Sequence, residues 1–403
     1  MKELQKGKEN YVFWLGLILC TVYLSYRYPL QINSSGTSPT YSDTPVMLQM
    51  GKFVLALPLF AIAAVRGLGK TLTPRQWLVT LGILFLSGYS LLKVFGDNDV
   101  KYLELSFWML FPLALVLGGD AIRISSIDRY LRFLLIYALG STAIQVALFI
   151  AFGRLPALAY EGTILIRFGG FLDDPNGFGA LLFLLMGWSY GRFKGWTRFI
   201  ILGSLVVSLL LTQSWTAIAF LVAVFFFWVL MVVRKRPWLA VPIICACALL
   251  ALLVIRETPP SPQTVFENML NAKQESIEGH SFSWSPWVSR WAKWTLVGDS
   301  TYNSYESWWA SAPVNFGVPW LVVFIGLIAE LIRSLRIGFV GCGSETRPVY
   351  SGFLLFGCYF VFGSLSLPFP TIFPINFLFF LFCFLEAFGR IQPEGSTLAH
   401  AQR

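Results

Sequence analysis

Long apolar stretches separated by short polar segments recur along the whole 403-residue chain. A helix needs roughly 20 mostly apolar residues to cross a bilayer, and twelve windows of that kind can be drawn. They run from Tyr11 to Tyr28, Val46 to Val65, Trp77 to Phe95, Leu103 to Gly118, Tyr130 to Phe152, Gly177 to Tyr190, Phe199 to Leu211, Trp215 to Val233, Leu239 to Ile255, Pro313 to Ile332, Val349 to Leu365 and Ile372 to Phe388. The pattern predicts an all-α polytopic membrane protein with about twelve transmembrane helices.

The same pattern divides the chain into four parts. Residues 1–152 contain helices 1–5, and residues 153–255 contain helices 6–9. Residues 256–312 form the longest polar stretch, which we expect to be a large periplasmic loop. Residues 313–403 carry helices 10–12 and a cytoplasmic tail.

Composition indicates the class of protein, and the distribution of charge predicts its orientation in the membrane. With 56% hydrophobic and 13% charged residues, the chain is too apolar for a soluble globule. When the amino terminus is placed in the cytoplasm, twenty of the 30 Lys and Arg residues fall on the inner side, and every short inner loop carries some of them. This distribution follows the positive-inside rule and predicts that both termini are cytoplasmic. The net charge of +9 therefore sets the orientation and does not indicate a nucleic-acid partner.

The sequence predicts no cleavable signal peptide and no role for its cysteines in disulfides or metal binding. The first apolar segment is long and has no small-residue cleavage site, so we expect it to remain as the first transmembrane helix. The six cysteines fall in predicted helices or on the inner side, where they offer neither a disulfide framework nor a metal site.

Two outer segments, 153–176 and 256–312, are long enough to carry function. In the second, Trp287, Trp291 and Trp294 recur at i, i+4 and i+7 and share one face of a predicted helix. Such a stripe is typical of an interfacial helix at the headgroup level. It also suits a platform on which sugar rings stack, and the two interpretations are compatible.

Two stretches carry a family resemblance. The first is Arg167-Phe168-Gly169-Gly170-Phe171-Leu172-Asp173-Asp174-Pro175-Asn176, which leads directly into a predicted helix. The second runs from Glu306 to Leu321, contains Gly317-Val318-Pro319 and enters the next predicted helix. Together with a tight pair of helices joined at Thr212-Gln213-Ser214, these stretches resemble the bacterial O-antigen polymerase and O-antigen ligase superfamily. The resemblance covers about residues 154–336.

The chain departs from the family pattern at two positions. Members often carry an arginine after the serine of the tight-pair turn, where this chain has Trp215. Ligases carry a histidine at the position that falls on Glu306-Ser307. The glutamate is closer to the polymerase branch, which we therefore prefer.

The resemblance implies a metal-independent glycosyltransferase in the bacterial inner membrane, with its active site facing the periplasm. The donor is a glycan on undecaprenyl pyrophosphate, and a sugar hydroxyl of another lipid-linked repeat unit expels the pyrophosphate. Because the leaving group is already activated, no cofactor is expected. The expected partners are this lipid-linked oligosaccharide, the bilayer and a chain-length-regulating membrane protein.

Phosphate-binding cations are the first requirement of that reaction. We assign Arg167 and Arg290 to the pyrophosphate, because guanidinium pairs bidentately with phosphate. Either could instead extend toward lipid headgroups. Arg154 and Lys293 are weaker candidates that fit headgroup contacts better, and Trp291 and Trp294 are candidates for the glycan.

A base is the second requirement. Glu306 is the candidate, since the neighbouring Trp308 and Trp309 can desolvate it. The alternative is that Glu306 only closes a capping box that starts at Asn303. His280 is the remaining outer candidate, although its polar Gly-His-Ser surroundings favour a solvated loop residue.

The acidic pair before helix 6 has two interpretations as well. Asp174, placed with Glu306 in catalysis, and Asp173 can orient the acceptor hydroxyl or hold Arg167. Asp-Pro-Asn is also ordinary chemistry for a helix start, so Asn176 is expected to cap the helix as well as to approach the glycan. Lys52 lies inside a predicted span, where a cation indicates either function or extension toward the interface.

Two rival functions stay open at this point. A ligase would use the same donor with lipid A core as acceptor. A transporter or flippase would show related halves and charges near the midplane, and the sequence has no clear repeat.

Overall fold

The computed structural model of the protein describes residues 17, 46–97, 100–152, 168–170, 172, 175–235, 296, 298 and 307–392. Among these residues 83% are helical, which confirms the predicted helical class. Two predicted windows, Tyr11 to Tyr28 and Leu239 to Ile255, lie outside the described residues apart from Leu17.

The described part of the chain contains eleven α-helices and very little else. They are α1 (Val46–Gly67), α2 (Pro74–Asp97), α3 (Val100–Gly118), α4 (Ile124–Phe152), α5 (Pro175–Arg192), α6 (Gly195–Leu211), α7 (Trp215–Lys235), α8 (Trp308–Phe316), α9 (Val318–Gly341), α10 (Arg347–Gly363) and α11 (Ile375–Ala387). A short 3-10 helix spans Phe369–Thr371, and two strands, β1 (Ile122–Arg123) and β2 (Ile391–Gln392), have two residues each. Each of the ten predicted windows in this part overlaps one of the helices.

One window is divided where the sequence predicted a continuous helix. The stretch from Pro313 to Ile332 contains the end of α8 and the beginning of α9, with Gly317 between them. Gly317 has a φ of 83°, and Pro319 lies in the first turn of α9. A positive φ breaks the helical path, and proline is tolerated only where a new helix begins.

The surface of the helices suits a lipid environment. Three described segments, Pro74–Lys93, Ile124–Ala151 and Val318–Gly341, are long and apolar enough to cross a membrane. Large apolar side chains are exposed on such helices, with Ile136 at 73% and Ile150 at 77% on α4. Soluble monomers rarely expose contiguous apolar surface on that scale, so the protein has the character of a membrane protein.

Two helices are buried on nearly all sides. In α5 the residues from Gly177 to Ser189 are buried, and in α11 those from Ile375 to Leu385 are buried. Helices that are apolar all round belong in the centre of a bundle. Glycine allows α5 to approach α10 closely, because a Cβ added at Gly187 would lie 2.6 Å from the Ser351 carbonyl oxygen.

Charged termini of several helices meet at one end of the protein, which we call the basic end. There β1 pairs in parallel with β2, so that Ile122 lies opposite Ile391. The Lys70 ammonium donates to the Gly119 carbonyl at 2.9 Å, which joins the α1–α2 loop to the end of α3. Asp128 of α4 pairs with Arg192 of α5 at 3.1 Å.

The cations of the described helices are concentrated at this end. The termini that meet there carry Arg66, Lys70, Arg75, Arg123, Arg129, Arg132, Arg192, Lys194, Arg198, Arg234, Arg333, Arg336, Arg347 and Arg390. At the opposite end, Lys93 carries the one described cationic side chain. The predicted segregation of charge along the chain is thus also a segregation in space.

Candidate functional site

Most of the predicted site residues lie outside the part of the chain that the structure describes. They are Arg167, Asp173, Asp174, His280, Arg290, Trp291, Lys293, Trp294 and Glu306. The side chain of Lys52 is likewise outside it. Asn176 is described, and it is the second residue of α5, so it lies within the first turn and not at the N-cap position that we expected.

The described neighbours of those residues do form a continuous arrangement, opposite the basic end. We call it the junction, and it consists of Gln145, residues 168–170 and 172, the turn 212–214, Ser307–Trp309 and the turn 364–366. It contains parts of all three stretches on which the family resemblance rests.

Residues 168–170 are held by hydrogen bonds from their backbone N–H groups to two helices. The Phe168 N–H donates to the Leu211 carbonyl at the end of α6 at 3.1 Å. The Gly170 N–H donates to Oε1 of Gln145 on α4 at 2.9 Å. Gln145 is fully buried, so this amide oxygen replaces water as the partner of a buried backbone group.

Gly170 is required at its position for two separate reasons. Its φ is 61°, in the left-handed region that favours glycine. A Cβ built there would lie 2.3 Å from the ring of Phe178, which is fully buried on α5. The second glycine of the Gly169-Gly170 pair thus lets the chain pass directly over the start of α5.

The turn between α6 and α7 falls where the sequence places the tight pair of helices. The Thr212 hydroxyl donates to the Leu209 carbonyl at 2.7 Å and accepts from the Ser214 N–H at 3.2 Å. The Ser214 hydroxyl oxygen accepts from the Ala217 N–H at 3.3 Å and thereby caps α7. Trp215, at the position where family members often have arginine, begins α7 and is 55% exposed.

A third element joins the turn to the residues that follow Glu306. The hydroxyls of Thr216 on α7 and Ser366 lie 2.6 Å apart. The Ser364 carbonyl accepts from the Trp308 N–H at 3.0 Å at the start of α8. The loop after α10 therefore connects α7 with α8 at the junction.

The residues directly after Glu306 are buried. Ser307 is 1% exposed and Trp308 is 3% exposed. The Trp308 ring packs against Phe316, Trp320 and Phe324, with centroid separations between 5.5 and 5.9 Å. The residues that follow Glu306 thus form an apolar wall, while Glu306 itself lies outside the described residues.

The long loop also contacts α2 at this end of the protein. The Tyr89 hydroxyl donates to the Leu296 carbonyl at 3.3 Å, and the Lys93 ammonium donates to the Gly298 carbonyl at 3.4 Å. Sequence reasoning did not select Tyr89, Lys93 or Gln145. A polar residue within an apolar window is the signal that could have found them.

No protein-family model matches the chain, and no curated protein matches it either.

Proposed function

We propose that the protein is a polysaccharide polymerase of the O-antigen type. It transfers a growing glycan from undecaprenyl pyrophosphate to a sugar hydroxyl of another lipid-linked repeat unit. The reaction takes place at the periplasmic face of the bacterial inner membrane.

One observation carries this proposal. The three stretches that resemble the polymerase and ligase superfamily lie far apart in the sequence, and the junction brings described residues of all three to one end of the helices. Phe168 meets Leu211, and Thr216 meets Ser366 in the loop that contacts Trp308. Their assembly at one end supports the proposal that these stretches form a single site.

The charge distribution supports the orientation. Cytoplasmic loops of membrane proteins carry an excess of Lys and Arg. The basic end thus suits the cytoplasm and the junction suits the periplasm. A lipid-linked donor also needs an entrance from the bilayer, and the exposed apolar faces of the helices are compatible with one.

In the proposed reaction the acceptor hydroxyl oxygen attacks the anomeric carbon of the donor glycan. A new glycosidic C–O bond forms, the bond from the anomeric carbon to the pyrophosphate oxygen breaks, and undecaprenyl pyrophosphate leaves with the bonding electrons. Glu306 takes the hydroxyl proton, with His280 as the alternative base, and Asp174 orients the acceptor hydroxyl. Arg167 and Arg290 hold the phosphates as negative charge develops on the leaving group.

The test is chain extension by purified protein supplied with lipid-linked repeat units. Arg167→Ala and Arg290→Ala are expected to abolish extension without loss of expression, whereas Arg154→Ala, a matched control in the same outer segment, retains it. Glu306→Gln keeps the shape of the side chain but cannot take a proton, so it is expected to be inactive.

Three results would contradict parts of the proposal. Full extension by Arg167→Ala removes the phosphate role of that residue, and wild-type rates for Glu306→Gln eliminate it as the base. Transfer of long glycans to lipid A core, without extension, indicates a ligase. Movement of intact lipid-linked units across vesicles, again without extension, indicates a transporter.

A further inference from the structure

Gln213 occupies a backbone position that glycine normally takes. It follows the end of α6, and its φ is 50°. In the described part of the chain it is the one non-glycine residue with a positive φ. Side chains are disfavoured in this conformation, so a glutamine kept here requires a reason.

The turn itself does not provide that reason. Thr212 and Ser214 already make the side-chain hydrogen bonds that close α6 and cap α7. The Gln213 side chain makes none of these bonds, and its N–H is satisfied by the Leu210 carbonyl at 3.0 Å. Glycine would build the same turn with less strain.

The side-chain carbonyl of Gln213 is also buried without a partner. Its Oε1 atom is shielded from solvent and accepts no hydrogen bond from any described residue. Gln145, also at the junction, shows the ordinary arrangement, because its buried Oε1 accepts from the Gly170 N–H. Buried acceptors are normally satisfied, and the exceptions call for an explanation.

The location of Gln213 suggests what its partner is. Leu211, two residues earlier, accepts from the Phe168 N–H in the segment that continues from Arg167. Thr216, three residues later, bonds to Ser366. Gln213 therefore lies at the junction, between the segment that continues from Arg167 and the loop after α10.

We infer that Gln213 binds the glycan, with its side-chain carbonyl accepting a hydrogen bond from a sugar hydroxyl. The chemistry selects a hydroxyl over a phosphate. An amide carbonyl can only accept, and an ionised phosphate has no proton to donate, whereas a sugar presents several hydroxyl donors. The inference rests on the proposed function, since that function brings the glycan to this end of the protein.

Two substitutions separate a binding role from a structural one. Gln213→Met keeps the length of the side chain and removes the acceptor. Gln213→Gly removes the side chain and relieves the backbone conformation. A structural glutamine would lose thermal stability in both variants, but we expect an unfolding temperature equal to that of the wild type for Met and higher for Gly.

Binding is measured with two probes, by the shift in unfolding temperature as each is titrated. The first is the undecaprenyl-pyrophosphate-linked repeat unit, and the second is undecaprenyl pyrophosphate without sugar. Both variants are expected to bind the first probe about 3- to 10-fold more weakly, the loss typical of one hydrogen bond. They are expected to bind the second probe as the wild type does.

The outcomes distinguish this inference from the proposed function. If the wild type binds the glycan lipid but does not extend it, the polymerase proposal fails, and the binding comparison still tests Gln213. Equal binding of the glycan lipid by wild type and Gln213→Met refutes the inference alone. A wild type that binds neither probe refutes both.

Discussion

Replacement of Gly170 by alanine tests the geometry of the junction most directly. The new methyl group would lie 2.3, 2.4 and 2.7 Å from three ring carbons of Phe178. That ring is fully buried, so it cannot turn away into solvent. Overpacking of this kind costs about 1–3 kcal/mol. The φ of 61° adds the penalty for a side chain in the left-handed region, about 1–2 kcal/mol. We therefore expect Gly170→Ala to lower the free energy of unfolding by about 2–5 kcal/mol.

Gly389 provides a matched control for the energetic cost of placing a side chain in the left-handed backbone region. Its φ is 60°, and a Cβ built there meets nothing within 4 Å. Gly389→Ala should therefore cost only the left-handed penalty, about 1–2 kcal/mol. The assay is denaturant unfolding of both variants and the wild type in one detergent, combined with chain extension under native conditions.

If Gly170 lies against Phe178, Gly170→Ala must lose more stability than Gly389→Ala. Equal losses of stability would refute the close approach of Gly170 to α5. A second result bears on function, because Gly170→Ala displaces a segment that continues directly to Arg167. Full chain extension by a Gly170→Ala protein that is folded but destabilised would show that this segment does not belong to the active site.

Two further predictions concern contacts at opposite ends of the helices. A double-mutant cycle with Thr216→Val and Ser366→Ala should give a coupling energy of about 0.5–1.5 kcal/mol, whereas a value near zero would mean that α7 does not contact the loop after α10. At the basic end, burial and then the Arg390 guanidinium lower the pKa of Lys70 from its ordinary value of 10.5, with Asp120 opposing the shift. The folded protein therefore releases the Lys70 proton at a lower pH than the unfolded chain does. As a result, the free energy of unfolding should rise with pH between the folded-state pKa and 10.5. Lys70→Met should remove that rise. Amine acylation should label Lys70 at a lower pH in the wild type than in Arg390→Gln, and identical pH profiles would contradict the influence of Arg390.

Hydrophobic patterning located the helices well because burial in a bundle or in lipid demands apolar side chains whatever the helix contacts. The boundaries at Leu211 and Trp215 agree with the structure to the residue. The window from Pro313 to Ile332 shows the limit of the method. Hydropathy measures apolar character and not backbone direction, so it does not detect that one helix ends and another begins at Gly317.

The side chains of the junction could not be predicted in the same way. Gln145 lies among apolar residues of α4, and nothing near it in sequence indicates that its partner is the Gly170 N–H, 25 residues later. Gln213 stands in a turn, where polar residues are ordinary. Its φ and its buried carbonyl become visible only when the fold brings the turn against its neighbours. Charge, by contrast, was predictable because the rule that places cations depends on the membrane and not on packing.

In the proposed polymerase, we expect different residues to bind the glycan and the pyrophosphate. Gln213 offers an uncharged amide carbonyl, which suits the hydroxyls of a sugar, whereas Gln145, Thr216 and Ser366 already make hydrogen bonds within the protein. Uncharged groups cannot neutralise a pyrophosphate, whose charge requires guanidinium or ammonium partners. Arg167 and Arg290 belong to the outer segments, so we expect those segments to hold the pyrophosphate and Gln213 to hold the glycan. Variants of Gln213 should then weaken binding of the glycan lipid alone, whereas Arg167→Ala should weaken binding of undecaprenyl pyrophosphate with and without its sugar. If Arg167→Ala affected only the sugar-bearing lipid, the assignment of the outer segments to the pyrophosphate would be wrong.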